Sequence, residues 1–205
     1  MSNVMLAFVC MVLTATSARA DGLSGAIKRY DWMLGTFAVT FEGRSNPDGT
    51  SPKDTYGPMH GSIMARSGPG RESIIYDHKA SGFIFLKPEC ASNGQPSKSC
   101  PQVGTTTQDS HVVIYWDKTQ RTYKSAVWAI DAPGVQLSDC KGETDSLTCS
   151  SIQSDDGKWY QFITKYEQRT QGFDVTDSVR VATSEGELLA APETQTSVQH
   201  NQRRK

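Results

Sequence analysis

The chain has 205 residues, with 21 Lys and Arg against 22 Asp and Glu, for a formal net charge of −1. That balance gives no electrostatic pull toward nucleic acid or an anionic membrane surface, so no nucleic-acid partner is expected. The length fits one domain with room for a hydrophobic core.

Val4 to Thr14 is a nearly unbroken apolar run, followed by the small-x-small pattern Ala18-Arg19-Ala20. The run is shorter than the about 20 apolar residues a membrane span needs. It reads as a secretory signal peptide over residues 1–20, with an uncleaved anchor as the alternative. No second run approaches spanning length, so a periplasmic or secreted protein with no stable membrane span after cleavage is expected.

Leu23, Ile27, Tyr30 and Leu34 recur at helical spacing and predict a short helix over 23–34. Beyond it the period becomes two, broken repeatedly by turn residues. The first strand is Thr36 to Gly43, with Phe37, Val39 and Phe41 on one face. Asn46-Pro47-Asp48-Gly49 marks a turn in a polar loop. Strands follow near Pro58 to Arg66, Glu72 to His78 and Gly82 to Lys87. Residues 88–110 are polar and aperiodic and read as a long loop.

The clearest hairpin joins Val112–Trp116 to Thr122–Trp128 across Asp117-Lys118-Thr119-Gln120. A second runs from Val135 to Ile152, and a third from Trp159 to Val181, turning at Gln171-Gly172. After residue 186 the pattern fades, and residues 188–205 read as a disordered, basic tail. The fold class is therefore all-β: a single antiparallel up-and-down β-barrel over residues 21–187, with about ten strands and a short N-terminal helix.

Of five cysteines, Cys10 lies in the leader and Cys90, Cys100, Cys140 and Cys149 remain. An even count behind an export signal reads as two disulfides. Short separation favours Cys90–Cys100 and Cys140–Cys149, the second pair being symmetric about the turn Thr144-Asp145. Zinc is the rival reading. Neither spacing is C-x2-C and no His stands near either pair, so no metal or other cofactor is expected.

Three segments carry a resemblance: WMLGTFAVTFEG at the first strand, VVIYWDKTQRTYKSAVW at the central hairpin, and DDGKWYQFITKYEQRTQGFDVTDSVR at the closing one. They resemble calycin-like, lipocalin-like barrels, including exported bacterial proteins of the DUF1579 type, whose first strand follows a leucine-glycine-x-aromatic signature. Here that aromatic is Phe37, where lipocalin-like chains usually carry tryptophan. The resemblance implies the barrel and no agreed activity.

No catalytic group stands out. His60, His78, His111 and His200 show no metal-ligand spacing, and no G-x-S-x-G elbow exists. Asp177 falls on the apolar face of its strand, as either a polar anchor in a cavity or a structural carboxylate. Aromatics crowd the later hairpins. The expected function is non-catalytic binding of a small apolar or amphipathic molecule in a cavity lined by Tyr76, His78, Trp128, Tyr166 and Asp177. The alternatives are a filled barrel acting through its surface loops and a hydrolase built on His78 or His60. No protein partner is named by the residues.

Overall fold

The structure is a computed structural model that describes residues 22–43, 55–56, 58–85, 88–91, 95–129 and 132–204. The expected signal peptide and the Asn46–Gly49 turn lie outside these residues.

The strands are β1 (Gly35–Gly43), β2 (Thr55–Tyr56), β3 (Met59–Ser67), β4 (Ser73–Phe85), β5 (Gln102–Asp117), β6 (Thr122–Ala129), β7 (Ala132–Gly142), β8 (Ser146–Asp155), β9 (Lys158–Arg169), β10 (Gly172–Ala182) and β11 (Thr194–Arg203). All pairings are antiparallel. From β3 to β11 each strand pairs with its successor, and β1 lies between β3 and β11, closing a ten-strand up-and-down barrel. Short β2 extends the β3 side along the far end of β4. A ten-strand antiparallel barrel fits a calycin-like fold.

Residues 188–204 do not form the expected tail. Thr194–Arg203 is the last strand of the wall, paired on one side with β1 and on the other with β10. Its inward residues Ser197, Gln199 and Asn201 are buried yet polar, so they carry no apolar alternation to announce a strand. Two further differences concern where strands begin and end. The expected loop 88–110 contains the start of β5, which begins at Gln102. The two strands expected between residues 72 and 87 are one strand, β4, running through Lys79-Ala80-Ser81.

The N-terminal helix is a pair of 3-10 turns over Gly25–Met33 meeting at Tyr30. It buries Ile27, Tyr30 and Met33 and plugs one end of the barrel. The Tyr30 ring meets Tyr123 edge-on at 5.2 Å, and Phe173 meets Phe37 at 5.0 Å, so aromatic edges fill this end. The Tyr123 hydroxyl donates to the Ala26 carbonyl at 2.9 Å. A Cβ at residue 142 would overlap the Tyr30 hydroxyl, so the plug needs Gly142.

Arg203 ties the ends of the chain together. Its Nη1 donates to the Leu34 carbonyl at 2.9 Å, its Nη2 to the Trp32 carbonyl at 3.1 Å, and its guanidinium lies 5.0 Å from the centroid of the Phe37 ring. Gly35 sits beneath that guanidinium with φ of +130°, a conformation that strains any residue with a Cβ. The glycine of the leucine-glycine signature is thus the place where plug becomes wall.

Both expected disulfides are present, Cys90–Cys100 and Cys140–Cys149. Cys140 and Cys149 face each other directly in the β7–β8 ladder. That ladder covers only Asp139–Gly142 against Leu147–Ser150, whereas β8 pairs with β9 from Ser146 to Asp155. Among the described residues, β7 and β8 therefore splay apart beyond the bridge. The disulfide staples the shortest junction between long strands in the wall.

Two outcomes are expected. A chain truncated after Pro192 leaves the β1 and β10 edges unpaired, so it should show no cooperative thermal transition by near-ultraviolet circular dichroism. A cooperative melt would mean that the wall closes without β11. Replacing Cys140 and Cys149 by Ala should lower urea-measured stability by about 2–4 kcal/mol. Replacing Cys90 and Cys100 should cost less, because that bridge joins the small cluster around Phe85 and not the main core. Equal losses would contradict this account of the junction.

Candidate functional site

Strand alternation sends every second residue into the lumen. In β4 these include Ile74, Tyr76 and His78; in β9, Phe162, Thr164 and Tyr166; in β10, Phe173, Val175 and Asp177. The Tyr76 and Tyr166 hydroxyls meet across the interior at 2.9 Å, both buried. This bridge divides the lumen. On the plug side lie Ile74, Ile114, Leu147 and Phe173, all fully buried. On the other side a cavity of about 260 Å³ opens, reached by His78, Gln108, Ser110, Thr164 and Asp177. Tyr76, Val112, Tyr166 and Val175 belong to both the core and the cavity wall, so they form its floor.

Four of the five expected site residues meet here: Tyr76, His78, Tyr166 and Asp177. Trp128 does not. In the β5–β6 register Val112 faces Val127 and both line the cavity, so the neighbouring Trp128 must point outward. It is 40% exposed, with its ring 5.6 Å from His111 on the outer wall. Sequence reading missed Gln108, Ser110, Thr164 and Gln199. Gln108 and Ser110 fall in the segment read as loop and Gln199 in the segment read as tail.

Asp177 is neither bound to a tyrosine nor paired with an arginine. Its Oδ1 accepts from the Thr164 hydroxyl at 2.8 Å and its Oδ2 from the Ser197 hydroxyl at 2.6 Å. Burial pushes its carboxyl above the ordinary carboxylate range, while those two hydrogen bonds pull it back down. Burial also raises the hydroxyls of both Tyr76 and Tyr166, and the nearby Asp177 charge adds to the effect.

His78 is 3% exposed, and its Nε2 has no hydrogen-bond partner. Burial lowers it from the ordinary 6.5 to about 4, against a smaller opposing pull from Asp109. It is therefore a neutral imidazole at neutral pH. The Gln108 carbonyl oxygen is likewise buried and unpartnered. Buried polar atoms are nearly always satisfied, so these two, both on residues that line the cavity, make it the candidate site.

The hydrolase alternative finds little here. His60 lies on the outer wall, its Nδ1 3.5 Å from the Thr40 hydroxyl. No hydrogen bond joins the His78 Nε2 to any serine among the described residues. Among those residues no cluster of His, Cys, Asp or Glu could hold a metal. A larger groove of about 520 Å³ lies outside, over β6 to β8, beside the Lys124–Asp139 ion pair. It carries no buried unpartnered atom, so the lumen is the better site.

No described helix is long and apolar enough to cross a membrane. The outer wall carries Asp77, Lys79, Asp109, Lys165 and Glu167, many of them in ion pairs. The chain matches no family model and no curated protein.

The buried imidazole yields a pH dependence with a definite sign. A histidine whose folded value is lowered favours folding fully above its unfolded value, and that contribution is lost as pH falls toward the folded value. Between pH 6.5 and about 4 the protein should lose about 3 kcal/mol that a His78→Gln variant does not lose. Urea denaturation of both proteins at pH 7.5 and pH 4 measures the difference. Parallel losses would show that His78 ionises freely in the folded state.

Proposed function

We propose that this chain is an exported calycin-like barrel of the DUF1579-type group that binds one small amphipathic molecule in its lumen, without turning it over. The observation that carries the reading is the pair of buried, unpartnered atoms, His78 Nε2 and Gln108 Oε1, facing a cavity floored by two tyrosines. A wholly apolar occupant would leave both atoms unsatisfied, at about 1–3 kcal/mol each. An amphipathic one can lay its apolar part against Val112, Val127 and Phe162 and its polar end against His78 and Asp177. The cavity is slightly below the ~300–1,000 Å³ of typical small-molecule sites, so the molecule is small. Two disulfides accord with an oxidising compartment and hence with export.

Native mass spectrometry of protein recovered from an oxidising compartment tests this. One discrete added mass is expected, lost on denaturation. It should be absent from a Ser110→Phe variant, whose ring occupies the cavity. A bare wild-type mass, still bare after incubation with a small-molecule extract of the source cells, would leave a barrel that holds only solvent.

A further inference from the structure

We propose that the lumen site selects a small organic ammonium, a primary amine carrying one apolar group of about the size of a single ring. This rests on the reading of the lumen as a ligand site and names the ligand's chemical class.

Several of the hydrogen-bond donors around the cavity are spent inside the protein. Thr164 Oγ1 donates to Asp177 Oδ1, and Thr196 Oγ1 to the Asp177 carbonyl at 3.1 Å. Gln136 Nε2 donates to Ser151 Oγ at 2.7 Å, and Gln199 Nε2 to Asn201 Oδ1 at 2.7 Å. Facing the space are the Gln108 carbonyl oxygen and the His78 Nε2, neither of which has a partner, the remaining lone pairs of Asp177, and the Ser110 and Ser178 hydroxyls, which accept as well as donate. An ammonium has three donors and no acceptor, so it suits the acceptors of this set.

Charge points the same way. Both Asp177 oxygens lie within hydrogen-bond distance of a hydroxyl, and those two contacts favour its ionised form against the burial that opposes it. No Lys or Arg is among the described residues lining the cavity, and burial keeps His78 neutral, so nothing on the wall balances that charge. A buried carboxylate without a counter-charge is costly, and a cationic ligand supplies the missing partner. An anionic ligand would place like charges together. Tyr76, Phe162 and Tyr166 border the same space, and an aromatic ring beside a cation favours it over a neutral group of equal shape.

The test is a matched series of three probes titrated calorimetrically into the full chain after removal of any retained ligand: 2-phenylethylamine, 2-phenylethanol and phenylacetate. The three share a ring and a short arm and differ in the charge of the end group. The amine should bind about tenfold or more tighter than the alcohol, as a charge-assisted contact implies, with phenylacetate weakest. In Asp177→Asn, which keeps shape and changes charge, amine and alcohol should bind alike. An alcohol that matches the amine in the wild-type protein, or an amine affinity unchanged in Asp177→Asn, overturns the ammonium assignment and leaves the ligand site standing. Failure of all three probes, with a retained mass still seen by native mass spectrometry, also overturns the assignment alone. Failure of all three with no retained mass overturns the site as well.

Discussion

Everything in this protein depends on a wall that closes on itself. A flat sheet of this size would leave two long unpaired edges, and barrel closure removes both. Closure requires the first strand to find the last one, which the β1–β11 ladder accomplishes from Phe37–Arg203 to Gly43–Ser197. Arg203 strengthens that join by reaching past the ladder to the carbonyls of Trp32 and Leu34. The plug, the wall and the C-terminal residues are thus one cooperative unit. Arg203, in a stretch read as a basic tail, is part of the fold.

Closure also creates the interior whose two halves differ in kind. The plug half is packed with aromatic and aliphatic side chains. The other half is lined by hydroxyls, amides, an imidazole and a carboxyl. The Tyr76–Tyr166 bridge suits the boundary, since each ring faces the apolar side while the paired hydroxyls satisfy one another. A polar interior next to an unfilled space is difficult to explain by stability alone, because polar groups contribute less there than packed methylenes would. Natural proteins depart from local consistency mainly at functional or strained places, and this lumen is the principal departure here.

That departure also explains what the sequence revealed and what it concealed. Period-two patterning disclosed β1, the β5–β6 turn and the β9–β10 hairpin, because their inward residues are apolar: Phe37 and Val39, Val112 and Ile114, Phe173 and Val175. The cysteine pairs were legible from their spacing. Patterning failed at residues 102–110 and 194–203, where inward positions are Gln108, Ser110, Ser197, Gln199 and Asn201. Alternation of polar with polar looks like a loop. The two missed strand segments both run alongside the cavity, so the blind spots of the reading and the candidate site coincide. Trp128 has the chemistry of a cavity residue, but its register beside Val127 puts it outside. Asp177 was legible because it interrupts an otherwise apolar face.

The splayed β7–β8 junction bears on how the wall moves. Gln136 and Phe162 border the cavity near this junction, and a Gln136–Ser151 side-chain hydrogen bond spans it in place of a ladder. Among the described residues no other pair of long strands in the wall shares so short a ladder, and the Cys140–Cys149 bond lies within it. Separating strands here therefore breaks fewer backbone hydrogen bonds than elsewhere in the wall, and a covalent bond stands where the two strands remain paired.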